Sequence, residues 1–519
     1  METHEKLRVR KSGAPIKDRK LIALESLGFS MGAGAFTSSL HNASLAIVKR
    51  VLTRKVPTLT GLRYVDTEKL IPDPGLFTQK MKPVFYEFKK VLCADSAPIA
   101  YEDFIGKYGG PKKRNYLAAL EEFERVGFKP SHAHIRMFIK YEKDIRELKP
   151  DRIPRAISPA GFVYLLLTGV YIRAIEEKIY EAINTLFGYR VVAKGLNYDD
   201  LAKLTKENWD HFMDPVAFDL DVEKLDASIF SEALSWTHQI VGLCFPVDEA
   251  RNVIKLLRYQ LKSIVKGRVS NGSFRYSIAG TLTSGQMNTS LVGVLLVTSI
   301  LFRICKKRKV RLTNMGDDCR LIVERSKSKG MVGELKEQFG LFNMFITCEK
   351  TTDLYRTEFC QTQIINIGGE CRTVRKVEAA LIKDSHCIDD IRAAHKLAAW
   401  MLAVGMGGLA SHGGLPVFHA FYECLIRNAN DYLKSANLTA RQLRRVAQFT
   451  LKKKFLDWTV GINYQGRTLT SEARVGFFRT FGTTPVGQEL IEGHYNKLQI
   501  DLSRTYDRDV LKNKLSLLL

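Results

Sequence analysis

Residues 310–324 read V-R-L-T-N-M-G-D-D-C-R-L-I-V-E, and few backbone arrangements accommodate that stretch. Val310 and Leu312 precede a short polar break, and Leu321, Ile322 and Val323 follow it. Apolar, β-branched residues on both sides of a Gly/Asn/Asp interruption predict a β-hairpin. Gly316 tolerates positive φ, which puts Asp317 and Asp318 at the tip. Adjacent carboxylates on a tight turn repel, and that costs stability unless a cation sits beside them. Hard oxygen donors on a rigid turn suit Mg²⁺ or Mn²⁺. An ordinary Asp-rich turn would also satisfy the triplet, so its company decides.

Val216 to Asp221 is V-A-F-D-L-D, with the alternation of a strand: Val216, Phe218 and Leu220 on one face, Ala217, Asp219 and Asp221 on the other. Asp226 completes a D-x-x-x-x-D pair where the pattern turns helical. Gly280 to Thr289, G-T-L-T-S-G-Q-M-N-T, is a flexible Ser/Gly loop opening a long apolar helix. Asn288 stands at that helix start, where Asn also serves as a plain cap. Neighbouring antiparallel strands lie about 4.8 Å apart. Asp221 beside Asp317 would therefore share two metal ions about 3.5–4 Å apart, an arrangement that serves nucleotidyl transfer. Asp226 and Asn288 are then placed to hydrogen-bond a ribose 2′-hydroxyl and so to select ribonucleotides.

Lys plus Arg exceed Asp plus Glu by 79 − 55 = 24 among 519 residues. Such a surplus implies a polyanionic partner, nucleic acid before an anionic membrane surface. Three segments concentrate the charge. Tyr108 to Arg125 is a Gly/Pro loop running into an amphipathic helix, with Lys112, Lys113 and Arg114 at the junction; a solvated helix start reads equally well there. F-I-K-Y-E-K (Phe138 to Lys143) carries Lys140. K-P-D-R-I-P-R-A-I-S-P (Lys149 to Pro159) is held extended by Pro150, Pro154 and Pro159, and presents Lys149, Arg152 and Arg155 as a stiff clamp for a triphosphate.

The nine cysteines are scattered without a C-x-x-C pair, which predicts reduced thiols. A zinc set of Cys360, Cys371, His386 and Cys387 fits no common finger spacing. The longest apolar run, Leu291 to Ile304, is too short for a bilayer core of about 30 Å. Elsewhere the sequence predicts a Gly-rich loop at Gly28, Gly32 and Gly34, and a helix through Leu45, Val48, Val51 and Leu52 studded with Lys49, Arg50, Arg54 and Lys55. It also predicts an apolar helix from Val163 to about Ile183, a hairpin on Asn271-Gly272, and a second around E-F-C-Q (Glu358 to Gln361). From about residue 371 the pattern is helical, interrupted by Gly405, Gly407, Gly408, Gly413 and Gly414, with a basic amphipathic helix over 441–454. The class is α+β.

The order D-x-x-x-x-D, S-G-x-M-N-T, N-x-G-D-D resembles motifs A, B and C of viral RNA-dependent RNA polymerases, above all those of the tombusvirus and carmovirus group of positive-strand RNA viruses. H-N-A-S-L (His41 to Leu45) is similar to that group's N-terminal block, Y-G-G-P-K-K-R-N-Y to motif G, F-I-K-Y-E-K with R-I-P-R-A-I-S-P to motif F, and E-F-C-Q to motif E. The resemblance implies a right-handed polymerase with an RRM-like antiparallel palm. Its divisions would be an N-terminal region and fingers over 1–205, palm over 206–240 and 278–370, a fingers insertion over 241–277, and a mostly helical thumb over 371–519.

By matching position, Asp221 and Asp317 are the principal ligands of two Mg²⁺ or Mn²⁺ ions, with Asp318 accessory. Asp226 and Asn288 read the ribose, Ser284 and Gly285 form a mobile loop, and Lys149, Arg152 and Arg155 line the nucleotide's path. Lys112, Lys113, Arg114 and Lys140 face template, and Glu358, Phe359, Cys360 and Gln361 support the priming or nascent 3′ end. The implied partners are RNA template, nascent RNA and NTPs rather than DNA, with a viral auxiliary replication protein and, indirectly, host membranes at cytoplasmic replication complexes. Initiation without a primer is implied too.

Three departures stand out. Motif A is L-D-V-E-K-L-D, where Asp219 offers a competing carboxylate; Gln286 occupies a position usually given to Asp or another small polar residue; and the motif D lysine has Lys350 as its nearest candidate. The group's polymerases often carry a membrane-targeting leader, and none is recognisable here, so the chain is expected to be the polymerase portion or a separately made subunit. A reverse transcriptase would carry Y-x-D-D, whereas Asn314-Met315-Gly316 precedes the pair here. A non-catalytic viral RNA-binding protein rests on charge alone. A helicase is set aside because no G-x-x-x-x-G-K-[ST] loop occurs.

Overall fold

The strand ending in Asp221 lies inside a four-stranded antiparallel sheet, seen in a computed structural model that describes residues 1–16, 21–24, 27, 32–58, 61–145, 148, 152–389, 391, 393–436, 438–444, 446 and 467–502. Across the sheet run Arg311–Asn314, Asp318–Glu324, Pro215–Val222 and Ile346–Thr351. Counted along the chain, the spatial order is 2-3-1-4. Helix Thr289–Cys305 leads into the second strand and helix Met331–Gly340 separates the third from the fourth. This is the β-α-β-β-α-β topology of a split βαβ sheet. The α+β expectation holds.

The alternation in V-A-F-D-L-D determines which way the sheet faces. Val216, Phe218 and Leu220 are buried against helices Phe162–Phe187, Ser231–Gly242, Thr289–Cys305 and Met331–Gly340. Asp219 and Asp221 occupy the other face, and Ala217 on that face is covered by Phe212 and Ile322. Helix Thr289–Cys305 is buried on nearly all sides, which accounts for its continuous apolar sequence.

A second sheet is built on the hairpin Lys262–Val269/Gly272–Ala279, flanked by Arg8–Lys11 and Ile135–Arg136. Its turn is the expected Asn271-Gly272. A Cβ on Gly272 would stand 2.4 Å from the Arg10 carbonyl oxygen, so only glycine fits, while the Asn271 side chain accepts from Leu40 N at 2.8 Å. Helix Leu40–Ile47 continues as a π-turn over Val48–Leu52, and then strand Thr53–Thr58 pairs with Gly61–Asp66. Arg54 and Lys55 therefore sit on a strand and not on the expected helix. Pro57 and the β-branched Thr53, Val56 and Thr58 favour extended backbone there.

The glycine-rich stretch near the C-terminus does not interrupt a helix as expected. Gly405, Gly407 and Gly408 lie within helix Ala394–His412, which packs along Phe418–Ser435. The glycines permit that approach: a Cβ on Gly408 would meet the Tyr422 ring at 2.2 Å, and one on Gly405 the Tyr422 carbonyl at 2.9 Å. Only Gly413 and Gly414 end the helix. Hairpin Thr362–Ile367/Glu370–Arg375 runs across position 371. Helices Ser471–Phe481 and Pro485–Lys497 complete this C-terminal half.

The two halves are tied together. Strand Ile22–Ala23 pairs with His386–Cys387, and the Lys143 ammonium donates to the Lys383 carbonyl beside Trp400. Gly28, Lys149, Pro150 and most of the anticipated helix over 441–454 fall outside the described residues. Among the described residues no helix is long and apolar enough to cross a membrane.

Helix interiors gain about 1 kcal/mol when Gly becomes Ala, whereas overpacking costs about 1–3 kcal/mol. Gly408→Ala should therefore lower the thermal midpoint. Gly333→Ala, on helix Met331–Gly340 with open space around its would-be Cβ, should raise it. Differential scanning calorimetry decides; a rise in both variants would contradict the packing described.

A candidate metal-dependent catalytic site in a basic cleft

Register brings the acidic residues together. Asp221 is the direct cross-strand partner of Asp318, and Asp219 that of Arg320. Directly opposed residues in an antiparallel pair have Cα atoms about 4.5–5.5 Å apart and point to the same face. The hairpin tip is docked on the central strand: Val222 N donates to the Asp317 carbonyl at 3.3 Å, and Met315 N to the Asp318 carbonyl at 3.0 Å. Gly316 adopts φ +117°, as the turn requires. Asn314 fixes the rest. Wholly buried, it accepts from Gly316 N at 3.0 Å and donates to the Gly316 carbonyl at 2.9 Å and to Cys319 Sγ.

The competing carboxylate is accounted for. Asp219 accepts from Arg320 Nε at 2.6 Å and from Glu358 N at 2.9 Å, and the Arg320 side chain is only 2% exposed. Asp221 and Asp317 are the exposed members of the group. Burial first, and then the charge of Asp317, raise the pKa of Asp318, against a hydrogen bond from the Cys360 thiol. The same two causes push Asp226 up to about 7, with Arg155 pulling the other way. Asp226 stands at the strand-to-helix bend, its carbonyl accepting from Leu282 N at 2.9 Å.

These residues line a cleft of about 1980 Å³, well beyond the roughly 300–1,000 Å³ of small-molecule pockets. Its lining also carries cations, Arg50, Arg152 and Arg155 among them. Strand Phe138–Ile139 pairs with Ala156–Ile157, and Ser158 N donates to the Ser284 carbonyl at 2.7 Å, so the proline-stiffened arm and the Ser/Gly loop are one unit. Gly285, at φ +106°, lets Pro159 come within 3.1 Å of where a Cβ would stand. Arg152 pairs with Asp144 and Glu142, and Arg155 with Glu142 at 3.5 Å. Arg50 joins them in the lining, its pKa lowered by burial and then by repulsion from Arg155 and Arg152. In the sequence Arg50 is one of four cations studding a helix-like pattern, with no local sign of this place; it stands on the π-turn Val48–Leu52.

Several expectations are relocated. Asn288 does not line the cleft: it is fully buried, and both atoms of its amide bond Gln260 at 2.9 Å, with His238 3.2 Å from the same Gln260. Thr289 and Ser290 of the first helical turn line the cleft in its place. Lys350 lies opposite Phe218, hence on the helix-packed face and away from Asp221, and donates to Ser328 at 3.2 Å. Lys140, paired with Glu142 at 2.9 Å, is absent from the cleft lining. So are Lys112, Lys113 and Arg114, exposed on the first turn of helix Gly110–Val126. Glu358 to Gln361 do line it, in a tight turn where Cys360 and Gln361 both hold positive φ (52° and 60°). Non-glycine residues there carry local strain, a common mark of functional turns. The zinc set is not assembled: Cys360 faces Asp318, while His386 accepts from Ala33 N at 3.2 Å.

The donor set fits a hard divalent cation. The oxygen donors at the tip are carboxylates, with the Cys360 thiol beside Asp318, and burial and then the charge of Asp317 raise the pKa of Asp226 and Asp318, so a cation there would relieve repulsion. Among the described residues no three His, Cys, Asp or Glu side chains already enclose a point. Mg²⁺ is usually held by one or two carboxylates plus water and substrate phosphates, not by an all-protein cage.

A family model described as viral RNA dependent RNA polymerase matches residues 7–503. The chain is 30% identical over 510 residues to the RNA-directed RNA polymerase of Oat chlorotic stunt virus (isolate United Kingdom), covering 96% of this chain and 66% of the relative. It is 31% identical over 500 residues to that of Tobacco necrosis virus (strain D), covering 94% and 66%. Against that of Turnip crinkle virus it is 29% identical over 504 residues, covering 95% and 62%. The chain thus spans somewhat less than two thirds of the length of these relatives.

Two stability measurements follow. Removing one member of a buried ion pair costs about 3–5 kcal/mol, whereas substituting an exposed residue usually costs within about 0.5 kcal/mol. Asp219→Ala should therefore destabilise the fold strongly and Asp221→Ala hardly at all in urea titrations; the reverse order would contradict the burial of the Asp219–Arg320 pair. Asp226 is raised, so its ionised form is disfavoured in the folded chain, and stability falls as pH rises from the unfolded carboxyl range toward about 7. In EDTA, Asp226→Asn should gain more stability over wild type at pH 8 than at pH 5. An equal gain at both pH values would contradict the burial of this carboxyl.

Proposed function

The chain belongs to the viral RNA dependent RNA polymerase family, and on that premise we propose that it copies an RNA template into RNA by metal-dependent nucleotidyl transfer. One observation carries the reading. Asp221 and the Asp317-Asp318 turn meet in a cleft of about 1980 Å³ whose lining also holds Arg50, Arg152 and Arg155.

The split βαβ sheet is the palm, over 206–240 and 278–370. The N-terminal region to 205 with the 241–277 insertion forms fingers, and the helical half from 371 forms the thumb. The links from Ile22–Ala23 and Lys143 to the C-terminal half support a closed hand around the cleft.

Asp221 and Asp317 hold the divalent cations, Mg²⁺ or Mn²⁺, with Asp318 accessory. When bound, two such ions lower the pKa of the attacking 3′-hydroxyl and neutralise charge on the leaving pyrophosphate. Arg50, Arg152 and Arg155 receive the triphosphate. Their mutual repulsion is relieved when an anion enters, and Glu142 and Asp144 hold two of the three in place beforehand. Asp226 reads the ribose 2′-hydroxyl. Asn288 acts from behind the surface, holding the first turn of its helix through Gln260. The strained Cys360-Gln361 turn supports the RNA 3′ end, and Lys112, Lys113, Arg114 and Lys140 contact template phosphates outside the cleft.

Primer-independent initiation, a viral auxiliary replication protein, and work at membrane-associated complexes in the host cytoplasm belong to the same proposal. They rest on the family alone.

Asp317→Ala should reduce incorporation on a short RNA by more than about 10³-fold while leaving RNA affinity within about threefold, since cationic contacts carry most of that affinity. Asp226→Ala should narrow the ratio of NTP to dNTP incorporation. Single-nucleotide extension with and without divalent metal, alongside filter binding, reads both outcomes. Undiminished incorporation by Asp317→Ala would falsify the assignment.

A further inference from the structure

A small cavity of about 110 Å³ lies against the bend that carries Asp226. Val51, Ala227 and Thr281 line both this cavity and the catalytic cleft, so the partition between them is one residue thick. The walls are mainly apolar, with Leu52, Ile229, Phe230 and Ile278 among them. Yet two buried polar groups on its lining lack partners.

Arg54 is 3% exposed. Its terminal nitrogens donate to Ser228 Oγ at 2.5 Å and to the Asn343 carbonyl at 2.6 Å, and its guanidinium lies 5.3 Å from the Phe345 ring centroid, but among the described residues its Nε–H has no acceptor. Among the described residues no carboxylate bonds this guanidinium; burial lowers its pKa to about 10, against the charge of Glu223. Thr281, 5% exposed and at φ +61°, has a hydroxyl unpartnered among the described residues. At the mouth the charges are mostly matched: Asp66 with His4 at 3.1 Å and Lys69 at 3.9 Å, and Glu68 with Lys6, beside Glu5. The uncompensated charge is therefore inside.

A buried cation with a free N–H, a free hydroxyl and apolar walls calls for an anionic head on an apolar body. The volume sets the scale: an apolar cavity of about 150 Å³ holds benzene, so this one, at about 110 Å³, takes a body smaller than a ring. We propose that this cavity binds a small carboxylate with a short apolar body, its head group accepting from Arg54 Nε and Thr281 Oγ1, and that occupancy alters ribose selection. The coupling follows from the wall itself. Thr281 N donates to the Ile229 carbonyl at 2.6 Å and Leu282 N to the Asp226 carbonyl at 2.9 Å, so a ligand seated on Thr281 bears on Asp226. This second half rests on the polymerase reading; the binding half does not.

The probes are 3,3,3-trifluoropropionate and its neutral counterpart 3,3,3-trifluoropropanamide, followed by ¹⁹F relaxation on the full chain. The carboxylate should bind at least about tenfold more tightly than the amide, and Thr281→Val should weaken it by about tenfold, the loss of one charge-assisted hydrogen bond. Arg54→Lys should retain part of the affinity that Arg54→Met loses. If Arg54→Met does not fold, Ile71→Trp at the mouth should exclude the probe instead. Equal binding of the two probes would reduce the site to an apolar hole whose polar atoms water serves, and would overturn the proposal. So would no binding, or binding that Thr281→Val and Ile71→Trp leave intact.

Saturating trifluoropropionate should then shift the NTP to dNTP incorporation ratio of the wild-type chain. Binding without a shift overturns the coupling. A chain that binds the probe but incorporates no nucleotide would contradict the function proposed above and leave the site standing.

Discussion

The register between Pro215–Val222 and Asp318–Glu324 is the constraint on which the rest of the molecule depends. A slip of one residue would turn every side chain of either strand to the other face. Asp221 would then point into the helix-packed core, and Val222 into the cleft. Two devices prevent this. Val216, Phe218 and Leu220 have a deep apolar face to fill, and Asp219 has a buried guanidinium to neutralise. Asn314 pins the tip independently by closing both hydrogen bonds of its amide on Gly316. Position is thus set by packing, one buried ion pair and neutral hydrogen bonds, leaving Asp221 and Asp317 exposed to the cleft.

Charge is arranged at a cost in two clusters. Burial and then Asp317 raise Asp226 and Asp318, while burial and then Arg155 and Arg152 depress Arg50. On the function proposed above, cations would offset the first cluster and a polyphosphate the second, and a nucleotide carrying its metal would relieve both at once. The structure therefore keeps its electrostatic strain where a triphosphate–metal complex would discharge it, a form of preorganisation.

Much of this was legible in the sequence, for physical reasons that differ by residue. The hairpin at 311–324 and the strand at 215–222 could be read because period-2 alternation and Gly316 admit few alternatives. The direct partnership of Asp221 with Asp318 makes the meeting of these segments an observation. What could not be read was mostly long-range pairing. Nothing local says that Asp219 finds Arg320, or that Asn288 turns inward to Gln260, 28 positions away. The glycines at 405 and 408 look like breakers until Tyr422 and Ile426 are seen against them. Arg50 and Arg54 look like the polar face of one helix, yet the helix ends at Leu52 and Arg54 belongs to the strand that follows. The ion ligands themselves remain the family's assignment, to which the geometry lends a donor set of suitable chemistry.

The central claim is that Asp221 and Asp317 share a pair of cations. Electron paramagnetic resonance of the Mn²⁺-loaded chain, with RNA and a non-hydrolysable NTP bound, tests it most directly. The account predicts an exchange-coupled two-Mn²⁺ signal, with the ions about 3.5–4 Å apart, that disappears in both Asp221→Asn and Asp317→Asn. Isolated, uncoupled Mn²⁺, or a coupled signal that survives either substitution, would contradict it.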